Sequence, residues 1–206
     1  MTPAAAFPTA TSRRPTRIAL CGSAGTGKTS LGRRLAAALG YVYVEEGMRK
    51  RLEAGFDWLA LHRVSGAYES LLDELWSEQN AAQEAALASS AGGFVADRSA
   101  YDHAAFWLHY GALHDRARTE AFVGRMLAAA REHDRVLVLP WGGVPLADDG
   151  VRSTDRWLQF RFQAIVEGLI GRFAPIGQIL HMAPGRTLDQ RVADALARLA
   201  LAQDAV

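Results

Sequence analysis

Along the chain, short runs of apolar residues alternate with longer segments in which apolar residues recur at helical spacing. The short runs, rich in β-branched and aromatic residues, predict five strands at 17–21, 41–44, 94–96, 135–139 and 176–182. Apolar residues three or four positions apart predict helices at 28–39, 45–54, 58–89 with a break near 65–66, 101–110, 115–132, 153–173 and 187–202. Strands that alternate with helices are typical of a three-layer α/β fold, in which helices cover both faces of a parallel sheet.

The first sixteen residues differ in composition from the rest of the chain. They are rich in Ala, Pro, Thr and Ser and lack the apolar run of a secretory signal, so we expect a disordered N-terminal tail over 1–16. The total of 206 residues fits one domain over 17–206. Within that domain, a loop with Pro, Gly and the acidic pair Asp148-Asp149 predicts a small lid at about 141–157.

Composition excludes several classes of protein. Lys and Arg total 23 against 22 Asp and Glu, and the net charge of +1 lacks the basic excess of a nucleic-acid-binding protein. The single cysteine, Cys21, cannot form an internal disulfide. No apolar stretch approaches the roughly 18 residues of a membrane-spanning helix. We therefore expect a cytoplasmic protein with neither a nucleic-acid nor a membrane partner.

A phosphate-binding loop lies between the first predicted strand and the helix that follows it. Its glycines allow successive backbone N–H groups to curl around a phosphate, and the start of the helix adds a positive dipole end. The lysine would reach the β- and γ-phosphates of ATP, and the threonine hydroxyl would ligate Mg²⁺. The segment matches the GxxxxGK[ST] pattern, and we expect the nucleotide to contact Gly22, Ser23, Ala24, Gly25, Thr26, Gly27, Lys28, Thr29 and Ser30.

An acid and an arginine follow the third predicted strand. Ligands of an open parallel sheet bind outside the carboxyl ends of its strands, so Asp97 and Arg98 are expected at the same crevice as the phosphate loop. There Asp97 would hold Mg²⁺ through water or accept the proton of an attacking hydroxyl, and Arg98 would contact the acceptor. The alternative is that Asp97 caps the next helix.

Two further acids follow the second predicted strand. Either Glu45 or Glu46 is placed to orient or deprotonate an acceptor hydroxyl, and the sequence does not distinguish them. Both are equally compatible with a helix's first turn, where acids interact favourably with the helix dipole. Arg49, one turn onward, is a candidate for binding the acceptor.

The helix predicted at 153–173 carries two stripes at helical spacing. One is apolar, and the other is polar and consists of Arg152, Arg156, Gln159 and Gln163. The two arginines share a face and are candidates for neutralising charge on the phosphates during transfer. The alternative is an exposed, charged helix start.

Aromatic residues cluster directly after Arg98. Tyr101 is a candidate for stacking against a flat acceptor ring, together with Phe106, Trp107 and Tyr110. Core packing is the alternative for all four residues.

Together these residues resemble the nicotinamide riboside kinase-like P-loop ATPases, a family of P-loop kinases that is also classed as an AAA-type domain. The matching segments are 22–29, 44–46 with Arg49, 97–99 with 101–102, and 144–152. The resemblance implies a P-loop NTPase fold with strand order 2-3-1-4-5, the use of ATP with Mg²⁺, and a nucleoside-like or other small hydroxylated acceptor. It also implies that Asp97 lies near the metal or acceptor and that Arg152 lies over the phosphates.

The residues favour an ATP-dependent kinase that transfers the γ-phosphate to a hydroxyl of a small molecule. Two alternatives stay open on sequence: a nucleoside monophosphate kinase, and a nucleotide-binding ATPase or regulatory module without a small-molecule acceptor. A GTPase is disfavoured because the chain has no Asn-Lys-x-Asp motif. A homodimer is compatible with the sequence.

Overall fold

A computed structural model of the protein describes residues 16–56, 66–90, 92–111, 115–143, 155–184 and 187–204. The strands are β1 (Thr16–Cys21), β2 (Val42–Val44), β3 (Gly93–Asp97), β4 (Arg135–Val138) and β5 (Ile179–His181). The helices are α1 (Lys28–Leu39), α2 (Gly47–Glu53), α3 (Ala67–Ser89), α4 (Ala100–Tyr110), α5 (Arg116–Ala130), α6 (Arg156–Phe173) and α7 (Leu188–Asp204).

The five strands form one parallel sheet in the order β2-β3-β1-β4-β5. This confirms both the predicted fold class and the predicted strand order. β1 lies at the centre, where Leu20 pairs with Asp97 on one side and Leu137 on the other. The phosphate loop therefore leaves the sheet beside the carboxyl ends of β3 and β4, where parallel α/β sheets bind their ligands.

Alternate residues of the central strand bury opposite faces of the sheet. Ile18 and Leu20 belong to a core shared with α1 and α7, whereas Ala19 and Cys21 belong to a larger core shared with α3, α4, α5 and α6. This period of two is expected of a strand buried on both faces. The result is a three-layer molecule with a hydrophobic core on each side of the sheet.

Some predicted boundaries moved. β5 begins at Ile179 rather than 176, because Ile176 is fully exposed and Gly177 turns the chain with a φ of 81°. Thr16 is the first residue of β1, where its N–H donates to the Gly92 carbonyl, so it does not belong to the tail. Parts of three predictions lie outside the described residues. They are most of the N-terminal tail, residue 65 of the predicted helix break, and most of the lid.

No helix within the described ranges is long and apolar enough to cross a membrane.

Candidate active site

The phosphate loop connects β1 to α1 with a backbone that glycine makes possible. Gly22, Gly25 and Gly27 have φ angles of 135°, 76° and 80°, a region that other residues rarely adopt. Gly27 is the N-cap of α1 and provides no side chain to cap it. The first N–H groups of α1 therefore point out of the helix without a side-chain acceptor from the cap, which suits an anion.

Lys28 is folded across this loop. Its Nζ donates hydrogen bonds of 2.7 Å to the carbonyl oxygens of Gly22 and Ser23, and the side chain is buried. Thr26 Oγ1 donates to the Ser23 carbonyl as well, at 3.0 Å. The loop thus holds the ammonium group with its own carbonyls, close to where the expected phosphates would bind.

Asp97 is joined to the start of α1 and to β2. Its Oδ2 accepts a 2.6 Å hydrogen bond from the Thr29 hydroxyl and a 2.9 Å hydrogen bond from the Tyr43 hydroxyl. Burial, together with the nearby Asp97 charge, raises the pKa of Tyr43, so the phenol stays a donor. The alternative that Asp97 caps the next helix is wrong, because Ser99 is the N-cap of α4.

A hydroxyl and a carboxylate in direct contact fit a magnesium ion. Mg²⁺ prefers oxygen ligands and commonly keeps several waters while one or two protein groups hold it. Thr29 and Asp97 offer two such oxygens, joined here by the 2.6 Å hydrogen bond. The described ranges contain no group of three His, Cys, Asp or Glu residues that could hold a metal ion by themselves.

The backbone is strained directly after Asp97. Arg98 has a φ of 117°, and among the described residues it is the one non-glycine with a positive φ. Such a conformation costs about 1–3 kcal/mol and persists only when the surroundings enforce it. Here the Arg98 carbonyl accepts a 2.8 Å hydrogen bond from Gln79 Nε2 on α3. Strain of this kind clusters at functional sites.

The Arg98 guanidinium lies buried between two acids and an aromatic ring. It is 4.6 Å from the centre of the Phe106 ring, its Nε is 3.7 Å from Glu46 Oε1, and its Nη1 is 3.3 Å from Asp102 Oδ1. Nη1 also lies 3.4 Å from the Gly22 carbonyl. Burial by itself would lower the pKa of Arg98, but the surrounding carboxylates outweigh burial and raise it. Arg98 therefore stays protonated. The Nε atom of Arg98 has no hydrogen bond in the described structure.

Asp102 joins this arginine to the phosphate loop. The carboxylate is completely buried and accepts hydrogen bonds from the Gly22 N–H (3.1 Å), the Ser99 N–H (2.9 Å) and the Ser99 hydroxyl (2.7 Å). Burial would raise the pKa of Asp102, but the charges of Arg98 and Lys28 and hydrogen bonds from the Cys21 thiol and the Ser99 N–H lower it overall. Asp102 was not predicted as a site residue, although it lies in one of the segments that carry the family resemblance. Its Ser-x-x-Asp spacing also predicts a capping box, which it forms with Ser99.

Glu45 and Glu46, equivalent on sequence, have different surroundings. Glu46 is buried, accepts from the Met48 N–H as the N-cap of α2, and faces Arg98. Glu45 Oε1 accepts from Arg33 Nη2 at 2.7 Å, and its Oε2 is 3.2 Å from Lys50 Nζ at the surface. Partial burial raises the pKa of Glu45 less than these two cations lower it. Only Glu46 of the pair lies beside the buried arginine.

Other predicted site residues lie elsewhere. Tyr101 is fully buried in the core, and its hydroxyl donates to Gln178 Oε1 at 3.1 Å, so it packs the fold instead of facing the crevice. Arg156 begins α6 exposed, with its guanidinium 5.5 Å from the Trp141 ring centre and 5.1 Å from that of Trp157. Arg152 and the Arg49 side chain lie outside the described part of the chain.

Arg191, from the first turn of α7, was not predicted to reach the site. Its Nη2 donates a 2.8 Å hydrogen bond to the Thr26 carbonyl of the phosphate loop. A Cβ on Gly27 would lie only 2.6 Å from Arg191 Nη1, so this approach needs glycine there. Burial lowers the pKa of Arg191. No local sequence pattern marks Arg191, because its contact is with a loop 165 residues earlier.

An aromatic group lies beside Arg98. The Phe106 ring is 4.7 Å from the Phe162 ring and stacks with Tyr110 at 6.3 Å, and Tyr110 lies 5.6 Å from Tyr68. We call these four residues the aromatic wall. It connects α3, α4 and α6 next to the pairing of Arg98 with Glu46.

Comparison with known families accounts for most of the chain. The family model described as an AAA domain matches residues 17–174, a segment that includes the phosphate loop, Asp97 and all of α6. No functionally curated protein matches the chain.

Solved structures share the fold at low sequence identity. NadR protein in complex with NR has a TM-score of 0.68 at 20% identity, and the match covers 91% of this chain and 52% of NadR. For deoxyadenosine kinase from M. mycoides the TM-score is 0.58 at 13% identity, with 89% and 97% covered. For thymidylate kinase from Candida albicans it is 0.57 at 17% identity, with 92% and 93% covered. The chain thus spans about half the length of NadR.

Proposed function

The chain belongs to the AAA domain family, and from that premise we propose that it is an ATP-dependent P-loop kinase acting on a hydroxyl of a small, nucleoside-like molecule. The observation that carries the proposal is the meeting of three groups at one sheet edge. The phosphate loop, the Thr29–Asp97 pair and the Glu46–Arg98 pair all follow the carboxyl ends of neighbouring strands. A loop for the donor phosphates therefore adjoins two carboxylates suited to the acceptor side.

The donor side follows from the loop. Its backbone N–H groups and the start of α1 would bind the β- and γ-phosphates, and Lys28 would exchange its two loop carbonyls for phosphate oxygens. Thr29 and Asp97 would hold Mg²⁺. When bound, the ion supplies positive charge that offsets the charge on the phosphate oxygens.

The acceptor side follows from Glu46. An acceptor hydroxyl oxygen would attack the γ-phosphorus, the bond to the β–γ bridging oxygen would break, and ADP would leave with that electron pair. Glu46 would take the hydroxyl proton, because its neighbour Glu45 is engaged by Arg33 and Lys50. Asp97 is bonded directly to the hydroxyl of Thr29, the expected magnesium ligand, which favours a role in holding the metal over a role as base.

The aromatic wall supports a flat acceptor. Aromatic faces bind planar rings by stacking, and Arg98 lies over Phe106 within reach of a polar substituent. NadR was solved with NR, and deoxyadenosine kinase with the products dCMP and dCDP, so this fold accommodates such ligands. A nucleoside-like acceptor is the class that we propose.

The test is ADP release from ATP and Mg²⁺ in the presence of nucleosides, nucleoside monophosphates and non-aromatic hydroxylated metabolites. We expect at least one nucleoside-like compound to raise turnover well above the acceptor-free rate. Lys28→Ala should abolish that increase, because it removes the loop cation that would bind the β- and γ-phosphates.

Three outcomes would contradict the proposal in different ways. A response to monophosphates alone would identify a nucleotide kinase, and a response to non-aromatic compounds alone would remove the flat acceptor. Turnover at the acceptor-free rate with every compound would favour the nucleotide-binding module.

A further inference from the structure

Gln163 of α6 links the phosphate loop to the sheet and to its own helix. The side chain is 2% exposed, and its Oε1 accepts a 2.7 Å hydrogen bond from the Ser23 N–H. Its Nε2 donates to the Leu139 carbonyl at 3.2 Å and to Glu167 Oε1 at 2.8 Å. A backbone N–H can only donate and a carbonyl can only accept, so these partners fix the orientation of the amide.

The bond from Gln163 acts on a peptide group that also holds cations. The Ser23 N–H and the Gly22 carbonyl belong to one planar peptide unit. While Gln163 binds its N–H, its carbonyl oxygen accepts from Lys28 Nζ at 2.7 Å and lies 3.4 Å from Arg98 Nη1. If this peptide turned, both cations would lose a partner.

The burial of the polar stripe on α6 also indicates that this helix contacts the phosphate loop through its polar side chains. Gln159 and Gln163 are buried, although a glutamine packed against apolar groups without hydrogen bonds is costly. Arg156 precedes Gln163 by seven residues on the same helix, a rise of about 10.5 Å at 1.5 Å per residue. The stripe thus runs from the exposed start of α6 to the phosphate loop.

We propose that Gln163 is a positioning residue that orients the Gly22–Ser23 peptide, and through it Lys28 and Arg98, and that fixes α6 against the loop. This inference rests on the proposed function for its effect on phosphoryl transfer. Its structural part does not depend on any acceptor. This role needs both polar atoms of the amide, since Oε1 accepts from the Ser23 N–H and Nε2 donates to the Leu139 carbonyl and to Glu167.

Two variants separate positioning from packing. Gln163→Met keeps most of the volume but leaves the Ser23 N–H without an acceptor. We expect amide exchange in the 21–27 segment of the nucleotide-free protein to speed up, and affinity for MgATP to fall, by about tenfold each, the scale of one buried hydrogen bond.

The matched control is Gln178→Met. Gln178 is equally buried and donates to the Ala130 and His133 carbonyls, away from the loop. This control should lower thermal stability without changing loop exchange or MgATP affinity.

Gln163→Glu adds a pH readout that packing would not produce. A protonated carboxyl can both accept from Ser23 and donate to Leu139, whereas the ionised form can only accept and is repelled by Glu167. Lys28, Arg98 and Asp102 are the other charged groups around the Gly22–Ser23 peptide. Relative to the wild type at each pH, MgATP affinity of Gln163→Glu should recover as pH falls. Adding Glu167→Gln should move that recovery to lower pH or reduce the loss, because without the repulsion the introduced carboxyl has a lower pKa.

Two results would overturn the proposal. One is equal loop exchange and equal MgATP affinity in Gln163→Met and Gln178→Met. The other is a ratio of Gln163→Glu to wild-type affinity that does not change with pH. Loop exchange is measured without nucleotide. If the protein transfers no phosphoryl group, the kinase proposal is wrong, but the exchange experiment still tests the role of Gln163.

Discussion

The Thr29 hydroxyl donates a 2.6 Å hydrogen bond to Asp97 Oδ2, which joins the first turn of α1 to the end of β3. The same oxygen accepts from Tyr43 of β2, so elements from three parts of the sequence meet at one carboxylate. Asp97 is only 4% exposed. A carboxylate fixed in this way before ligands bind needs little reorganisation to interact with a metal ion or with developing charge.

Asp97→Asn should reduce kcat while the protein still binds nucleotide. The change keeps the shape but removes the negative charge, and we expect a loss of about 10²-fold or more in kcat. Steady-state kinetics would measure this loss, and calorimetry with ADP in the presence of a chelator would measure metal-free binding. Near-normal kcat would show that Asp97 only supports the structure.

Tyr43→Phe is the milder test of the same cluster. It removes one hydroxyl donor to Asp97 and keeps the ring against the sheet. We expect a loss of about 1 kcal/mol in the free energy of unfolding and a decrease of several-fold in kcat. Urea denaturation and kinetics on the same preparation check both values. A kcat decrease as large as that of Asp97→Asn would mean that Tyr43 itself contacts the reacting groups.

Glu46→Gln and Glu45→Gln form a matched pair on neighbouring positions. Glu46 faces Arg98 in the buried site, whereas Glu45 pairs with Arg33 and Lys50 near the surface. Removing a general base typically costs about 10²–10⁴-fold, so we expect that loss in kcat for Glu46→Gln alone. Initial rates at saturating acceptor and MgATP would measure it. Equal losses in the two variants would refute the assignment of the base to Glu46.

Asp102→Asn should destabilise the whole domain. The carboxylate is fully buried, is bonded to Gly22 and Ser99 and is paired with Arg98, and breaking a buried ion pair costs about 3–5 kcal/mol. Asp194→Asn is the control, because its pairing with Arg198 is partly exposed. It should change the free energy of unfolding by less than about 0.5 kcal/mol. Chemical denaturation of both variants provides the comparison.

Stability should fall in mild acid because of His103. This side chain is buried, its Nε2 contacts Gln79 Oε1 at 2.8 Å, and its Nδ1 has no hydrogen bond in the described structure. Burial, opposed by Asp102 and reinforced by Arg98, lowers the pKa of His103 to about 4. Between pH 6.5 and 4 the unfolded chain therefore takes up a proton that the folded chain refuses. The free energy of unfolding should drop by about 3 kcal/mol across that range and stay flat above it as far as this group is concerned.

Urea denaturation at several pH values measures this dependence. His103→Gln keeps an N–H donor toward Gln79 and should flatten part of the slope. The remaining slope belongs to groups such as His133, whose burial also lowers its pKa to about 4. A wild-type slope retained in full by His103→Gln would show that His103 is not responsible.

The elements of the fold were predictable because they depend on patterns within short windows. The apolar run before Gly22 and the helical spacing after Lys28 were enough to locate β1, the phosphate loop and α1. β5 was misplaced at its start, because apolar residues such as Ile176 also occur in exposed turns. Strand order came from the family resemblance, since pairing between distant strands leaves no local signal.

Glu45 and Glu46 show which features of the candidate site could not be predicted from the sequence. Both follow β2 and both are compatible with a helix start, yet only Glu46 turns toward Arg98. The prediction that Tyr101 faces the acceptor is wrong, because an aromatic residue after a strand-end acid can equally pack in the core, as Tyr101 does. In each case the deciding quantity is the direction of a side chain relative to elements far away in sequence.

The sequence by itself determined the α/β class, the phosphate loop and the acids and arginines at the strand ends, because those depend on residue type and spacing. The tertiary structure decided which of them meet. The contacts of Ser23 with Gln163 and of Gly22 with Asp102 span 140 and 80 residues. Such contacts depend on how helices pack over the sheet and on which buried polar groups then need partners. No pattern in a short window contains that information.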